Sequence, residues 1–238
     1  MSDSIEITGL TKNFDTLTAV DNLNLAARPG EVIALLGPNG AGKSTLMNMI
    51  AGYLAPTSGQ IKILGADIAE HPLLARQNIG FLPEGSPLYP DMSVAAFLKY
   101  MAGLRGVGAP RLAEVAALAK IDEVMNCKIE TLSKGYLRRV GFAQSILSDP
   151  PVLLLDEPTD GLDPNQKEHI RKLIADMGKT KTILISTHLL EEAETIAARI
   201  VVIARGQIKA DGTLPRILAQ NRSVTLHEAF RKLTGEER

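Results

Sequence analysis

The period of the hydrophobic pattern changes along the chain, and each change marks an element. Ile5–Thr11 and Val20–Ala26 alternate apolar and polar residues, which predicts strands of a half-exposed sheet. Val32–Leu36 is a short continuous apolar run, as expected of a strand buried on both faces. Val152–Leu155, Thr182–Ser186 and Ile200–Ala204 repeat that pattern, and Gln60–Leu64 and Ile79–Leu82 read as further short strands. A helical stretch runs from Lys43 to about Tyr53. Another starts after Asp163-Pro164 and is stopped by Gly178. Leu189–Arg199 is a third. Between about Ser93 and Ser148 the pattern is nearly all helical, with Ser93 able to cap one helix and Ala109-Pro110 to open the next. Gly206 turns the chain into Gln207–Ala210, and Leu226–Gly235 reads as a short amphipathic helix. Strands alternating with helices predict an α/β core carrying a helical insertion.

Composition narrows the partners. The 238 residues suit one large domain, or one domain with a subdomain. With 26 Lys and Arg against 27 Asp and Glu, the net charge of -1 gives no electrostatic reason to expect nucleic acid. One cysteine, Cys127, excludes an internal disulfide and fits a reducing, cytosolic compartment. It reads as an inert small hydrophobe. The acidic, polar start from Met1 to Glu6 is unlike a signal peptide. The longest apolar runs fall far short of the roughly 18 residues of a spanning helix, so the chain is not expected to cross a membrane by itself.

The first chemical motif is Gly37-Pro38-Asn39-Gly40-Ala41-Gly42-Lys43-Ser44, followed by Thr45. It fits G-x-x-x-x-G-K-[ST], the phosphate-binding loop. Glycines let successive backbone N–H groups turn inward around an anion, and the helix opening at Lys43 aims its positive end at the same place. Lys43 adds a point charge for the β- and γ-phosphates, and the Ser44 hydroxyl is placed to ligate Mg²⁺. A second motif is the apolar run Val152–Leu155 ending in Asp156-Glu157. Two acids at the carboxyl end of a buried strand stand where open α/β sheets bind ligands. Asp156 is a candidate Mg²⁺ ligand and Glu157 a candidate base for the attacking water.

The residues between and after these motifs carry a family resemblance. Leu132-Ser133-Lys134-Gly135-Tyr136 stands where ATP-binding cassette (ABC) ATPases carry their L-S-G-G-Q signature. Thr159-Asp160-Gly161-Leu162-Asp163 resembles the family's D-loop and Ser186-Thr187-His188 its switch-histidine motif. Phe14 sits where the family stacks an aromatic ring on adenine. Order and spacing resemble an ABC nucleotide-binding domain from about Ile5 to about Ala219. The resemblance implies a P-loop NTPase α/β core (1–92 and 149–220) with an N-terminal antiparallel β subdomain. It also implies an inserted α-helical signature subdomain (93–148) and a short helical tail (221–238).

It further implies ATP and Mg²⁺ as cofactors, with Glu157, His188 and Lys43 as the catalytic set. The implied partners are a second ATPase subunit, identical or related, and a separate polytopic membrane permease, which would hold the chain on the inner face of the cell membrane. Two chains would pack head to tail, Ser133 and Gly135 of one meeting the γ-phosphate held by Lys43 of the other, with Asp163 at the same boundary. From below, Ser133 reads as the N-cap of a helix running to about Leu147, itself an anion-binding end.

Two departures from the family pattern stand out. Lys134 and Tyr136 replace signature positions, and Lys134, Arg138 and Arg139 read as a solvated or phosphate-facing helix end. In Phe81-Leu82-Pro83-Glu84, Glu84 stands where the family carries a Mg²⁺-ligating glutamine; a carboxylate oxygen suits a hard cation equally well. The run Pro83–Tyr89 resembles type-2 ABC exporter ATPases, in which this loop touches the membrane subunit. The competing reading is a soluble ABC ATPase acting on nucleic acid or ribosomes, or as an assembly scaffold.

Overall fold

The computed structural model describes residues 2–235. Its strands are β1 (Ile5–Phe14), β2 (Leu17–Ala27), β3 (Val32–Leu36), β4 (Ser58–Ile63), β5 (Ala66–Asp67), β6 (Ile79–Leu82), β7 (Val152–Asp156), β8 (Thr182–Thr187), β9 (Arg199–Ala204) and β10 (Gln207–Gly212). Its α-helices are α1 (Lys43–Ile50), α2 (Pro72–Arg76), α3 (Val94–Arg105), α4 (Ala109–Ala119), α5 (Lys134–Ile146), α6 (Pro164–Met177), α7 (Leu190–Ile196), α8 (Leu214–Gln220) and α9 (Leu226–Thr234).

The strands form a four-stranded antiparallel sheet, β2-β1-β4-β5, and a six-stranded sheet, β10-β9-β3-β8-β7-β6. In the larger sheet only the edge pairing of β10 with β9 is antiparallel. The continuous apolar runs mark the strands of this sheet because both of its faces are covered. Val152 and Leu154 of β7 join one core with β1, β2, β4 and α1, whereas Leu153 and Leu155 join a second with α3 to α6. Ala34 and Leu36 of β3 face a third, closed by α7, α8 and α9. Burying each such Leu or Ile side chain contributes about 1.5–3 kcal/mol.

Register sets the functional end of the sheet. Leu36 pairs with Thr187, Asp156 with Ser186, and Leu82 with Leu155. The carboxyl ends of four neighbouring strands, β3, β8, β7 and β6, are therefore level. The loops that leave them begin at Gly37, His188, Glu157 and Pro83.

The alternating segments run longer than their pattern. β1 and β2 continue to a hairpin tip at Phe14 and Leu17, with bulges between Ile7 and Asn13, where most side chains have no core to face. The helix expected from Lys43 to Tyr53 ends at Ile50, with the chain turning through Gly52 at φ 72°. The helix expected over Leu189–Arg199 covers only Leu190–Ile196, because Arg199 already pairs with β3 and its guanidinium binds Asp211 across the hairpin. The short elements β5, α2 and α8 have no counterpart in the sequence reading. Of the expected tail, α9 is present, capped by Thr225, and residues 236–238 lie outside the described residues. No described helix is long and apolar enough to cross a membrane.

Candidate functional site

The loop from Gly37 to Gly42 joins β3 to α1, and two glycines fix its path. Gly42 has φ 103° and a Cβ there would collide with the carbonyl oxygen of Ala19. A Cβ on Gly37 would collide with the carbonyl of Ile203. The Lys43 ammonium is buried and donates to the carbonyls of Gly37 (2.6 Å) and Pro38 (3.0 Å), which holds it at the centre of the loop. Burial pulls its pKa down, opposed by the carboxylates of Glu157, Asp156 and Glu84.

A cleft of about 580 Å³ opens over this loop. It is lined by Phe14, Asn39, Gly40, Ala41, Gly42, Lys43, Ser44 and Thr45, with Glu84 and Glu157 opposite. Phe14 is 43% exposed, with the Lys12 ammonium 5.1 Å from its ring centroid. A half-exposed aromatic wall, a lysine and a helix N-terminus together can hold a base and its phosphates. Leu17, Thr18, Ala19, Arg205 and Gly206 also line the cleft. None of them is a candidate site residue from the sequence, because they lie on the β1–β2 and β9–β10 hairpins, remote from any motif.

At the end of β7, Asp156 is buried and accepts the Ser186 hydroxyl through Oδ1. Its other oxygen, Oδ2, has no hydrogen-bond partner among the described residues. No three His, Cys, Asp or Glu side chains converge into a metal cluster among the described residues. Two carboxylates and a hydroxyl, from Asp156, Glu84 and Ser44, nevertheless fit Mg²⁺, which keeps several waters and takes few protein oxygens. Glu157 follows at φ 53°, a left-handed conformation that costs a non-glycine residue about 1–3 kcal/mol. Its N–H donates to Ser186 O (3.1 Å), and its Oε1 lies 2.8 Å from Nδ1 of His188. Burial pushes the Glu157 carboxyl up, against the opposing pull of the His188 contact and Lys43. A carboxylate largely out of water beside an imidazole can accept a proton from a bound water.

The remaining candidates sit elsewhere. The Ser133 hydroxyl caps α5 by accepting the Tyr136 N–H (3.4 Å). A Cβ on Gly135 would meet Gln166 Oε1 at 3.0 Å and Leu162 Cδ2 at 3.6 Å, so this turn packs on the segment leading to Asp163. Asp163 itself caps α6 through the Gln166 N–H (2.9 Å). Lys134 pairs with Asp160 at 2.8 Å and holds that carboxyl below its ordinary range. None of Ser133, Gly135 or Asp163 lines the cleft over the phosphate loop. The helix N-terminus of α1 therefore opens into the cleft and that of α5 lies outside it.

One expectation is overturned. Arg138 and Arg139 are not a solvated helix end: each is 6% exposed. Arg139 stacks on Tyr136 and donates to Lys120 O (2.6 Å), and Arg138 turns inward beneath Glu157. Arginines spaced to fall on the buried face of α5 were the available signal, masked by their charge.

The comparisons agree with this geometry. Residues 20–160 match the ABC transporter family. The chain is 34% identical to Nod factor export ATP-binding protein I of Paraburkholderia xenovorans, over 95% of this chain and 76% of the relative. It is also 34% identical to the probable multidrug ABC transporter ATP-binding protein YbhF of Escherichia coli, over 96% of this chain and 41% of that longer relative. Among solved structures, an ATP-binding subunit of an ABC transporter superposes with a TM-score of 0.89 at 28% identity, covering 96% of this chain and 98% of that one. The dimeric ABC transporter cassette MJ0796 superposes with a TM-score of 0.83 at 27% identity, covering 88% and 98%. With a phosphate loop, a level row of strand ends bearing two acids and a histidine, and a Ser133-capped helix on α5, the chain belongs to the ATP-binding, ATP-hydrolysing subunits of ABC transporters.

Proposed function

We propose that this chain is the motor subunit of an exporter, in which two ATPase chains close around two ATP molecules and drive a separate membrane permease. The observation that carries the reading is that the helix ends at Lys43 and at Ser133 do not share one cleft: Lys43 and Ser44 line it, whereas Ser133 and Gly135 do not, and Gly135 packs beside Leu162. A second chain placed head to tail would bring its Ser133 and Gly135 to the γ-phosphate held over Lys43, with Asp163 near the boundary. The relatives named for Nod factor export and multidrug transport favour export.

In this mechanism Phe14 stacks on the adenine, and the backbone from Gly37 to Thr45 wraps the phosphates while Lys43 neutralises the β- and γ-oxygens. Ser44, Asp156 and Glu84 would hold Mg²⁺, which would supply charge neutralisation for the phosphates. Glu157 orients and deprotonates the water, and His188 fixes the carboxylate from the side and contacts the γ-phosphate. Positioning and electrostatics supply most of the acceleration.

A groove of about 280 Å³ lies between β6, α3 and α5, lined by Tyr53, Pro83, Ser86, Leu88 and Tyr89 among others. Tyr53 is 75% exposed and Tyr89 53%. An aromatic, partly exposed groove on the loop after β6 suits an apolar helix of a permease, and attachment there would place the chain peripherally on the inner face of the cell membrane. The test is to tag the chain in its native cell, solubilise membranes gently and identify what copurifies. A stoichiometric polytopic membrane protein is expected; a purely soluble complex, with none of the chain on membranes, overturns the transport half of the reading.

A further inference from the structure

The buried guanidinium of Arg138 is not accounted for by the reading above. It lies on α5, five residues after the Ser133 cap, and among the described residues its hydrogen-bond partners are carbonyls and a hydroxyl, not a carboxylate. Nε donates to Glu157 O (3.0 Å) and Nη2 to Asp156 O. Nη1 donates to Pro83 O (2.8 Å) and to the Ser86 hydroxyl (2.9 Å). One rigid planar group on α5 thus binds the segments that leave two adjacent strands, β6 and β7.

Removing a cation from water costs several kcal/mol, and here the carbonyls, together with the nearby charges of Asp156, Asp160, Glu157 and Glu84, offset only part of it, since burial still pulls the guanidinium pKa down. An apolar side chain of similar length would fill the same space without that cost, so simple stability does not account for an arginine here. The planar fork does account for it, because it reaches acceptors on both loops at once, which a lysine's single ammonium cannot. The Glu157 carbonyl that it binds belongs to the residue held at φ 53°. Such a conformation persists only where the surroundings over-determine it, and here the restraints are Ser186 O, Asp160 N and Arg138.

We infer that Arg138 is a positioning residue for hydrolysis: it locks the Glu157 backbone to the Pro83–Ser86 loop, so that the Glu157 carboxylate is aimed only while α5 and that loop are held together. Pro83 and Ser86 also line the groove proposed for the permease, so whatever fills the groove touches the loop that Arg138 ties to Glu157. This inference rests on the assignment of Glu157 as the base. The groove contact gives the permease a physical route to the hydrolytic water that does not pass through the nucleotide.

The test measures steady-state Mg-ATP hydrolysis by the full chain for wild type, Arg138→Lys, Arg138→Met, Ser86→Ala and Glu157→Gln, with thermal melting alongside. Both Arg138 variants are expected to lose about 10²-fold in kcat, the scale of a 1 Å misplacement, while KM shifts less than about threefold. Ser86→Ala is expected to lose a smaller factor, and to lose nothing further when added to Arg138→Met. Arg138 variants that melt early but keep the wild-type kcat overturn the inference, as does a KM rise with kcat unchanged. If neither Arg138 variant folds, Ser86→Ala decides: a lower kcat at unchanged KM supports the clamp, and an unchanged kcat overturns it. An active Glu157→Gln would instead sink the assignment of the base on which the inference rests.

Discussion

The Nδ1 atom of His188 lies 2.8 Å from Oε1 of Glu157, joining the residue after β8 to the residue after β7. The pairing follows from register, because Asp156 faces Ser186, so Glu157, one residue on, and His188, two residues on, leave neighbouring strands at the same end of the sheet. If these two side chains serve one water, their losses do not add. Glu157→Gln is expected to lower kcat by about 10²-fold or more, His188→Ala comparably, and the double variant little further. Glu157→Gln should also bind ATP without turning it over and accumulate as a dimer. Sedimentation equilibrium with ATP checks this, and a persistent monomer at high concentration would sink the head-to-tail arrangement.

Lys43 and Gly42 test the phosphate loop separately. Lys43→Ala removes the cation at the loop's centre and is expected to abolish measurable hydrolysis, with ATP binding weakened at least tenfold. Gly42→Ala puts a Cβ against the Ala19 carbonyl at φ 103°, so the loop must move. Nucleotide binding should fall with little change in urea midpoint. Titration with a fluorescent ATP analogue reads both.

Glu84 distinguishes a metal-side role from a catalytic one. It lines the cleft opposite Lys43, yet its loop is anchored by Arg138 through Pro83 O rather than by its own carboxylate. Glu84→Gln keeps an oxygen ligand and is expected to retain most of the hydrolysis. A loss as large as that of Glu157→Gln would show that Glu84 is misassigned.

Glu192 on α7 is 1% exposed and accepts hydroxyls from Thr159, after β7, and Thr187, the last residue of β8 (2.8 Å). Arg171 reaches the same carboxylate at 3.8 Å. Glu192→Ala leaves two buried hydroxyls without their acceptor, while Arg171 keeps Glu191 at 3.4 Å, and is expected to cost about 1–3 kcal/mol in urea unfolding. Glu192→Gln, which keeps an acceptor, should cost clearly less. Equal losses would mean that the carboxylate makes no net contribution to this network.

The turn between α5 and β7 gives a pH signature in stability. Asp149 lies 2.8 Å from Lys181 and 3.4 Å from Arg111, and the Lys181 hydrogen bond holds its carboxyl below the ordinary range. A lowered folded pKa contributes stability above the unfolded value of about 3.9, and that contribution is lost as pH falls through the folded pKa. Because Asp149 is 65% exposed, the contribution is under about 1 kcal/mol. Asp149→Asn, which also tolerates the φ of 50° there, should be slightly less stable than wild type at pH 7 and equal to it near pH 2. A difference that survives at low pH would assign it to packing.

Much of this protein is local in its sequence. The apolar runs Val32–Leu36, Val152–Leu155 and Ile183–Ile185 mark strands covered on both faces, since short runs without polar residues suit strands with no solvent-facing side. Gly37 to Ser44 prescribes a phosphate cradle by its own backbone geometry, and Ser133 and Asp163 cap the helices that follow them. What the sequence could not assign was whatever depends on residues far apart in the chain. The ends of β1 and β2 lie on an exposed hairpin with no core to impose a period. Leu189–Arg199 carries a helical pattern, but Arg199 is drawn into β9 by Asp211 and by β3.

The sequence by itself determined the fold class, the nucleotide chemistry and the residue types at the phosphate loop and strand ends, because each depends on neighbours a few positions away. Only the tertiary structure decided that Glu157 and His188 meet, that the Ser133 helix end does not share the cleft of Lys43, and that Arg138 lies under the Asp156–Glu157 turn. Those facts depend on strand register and helix packing. The charge of an arginine cannot reveal in advance that carbonyls from two distant loops will converge on it.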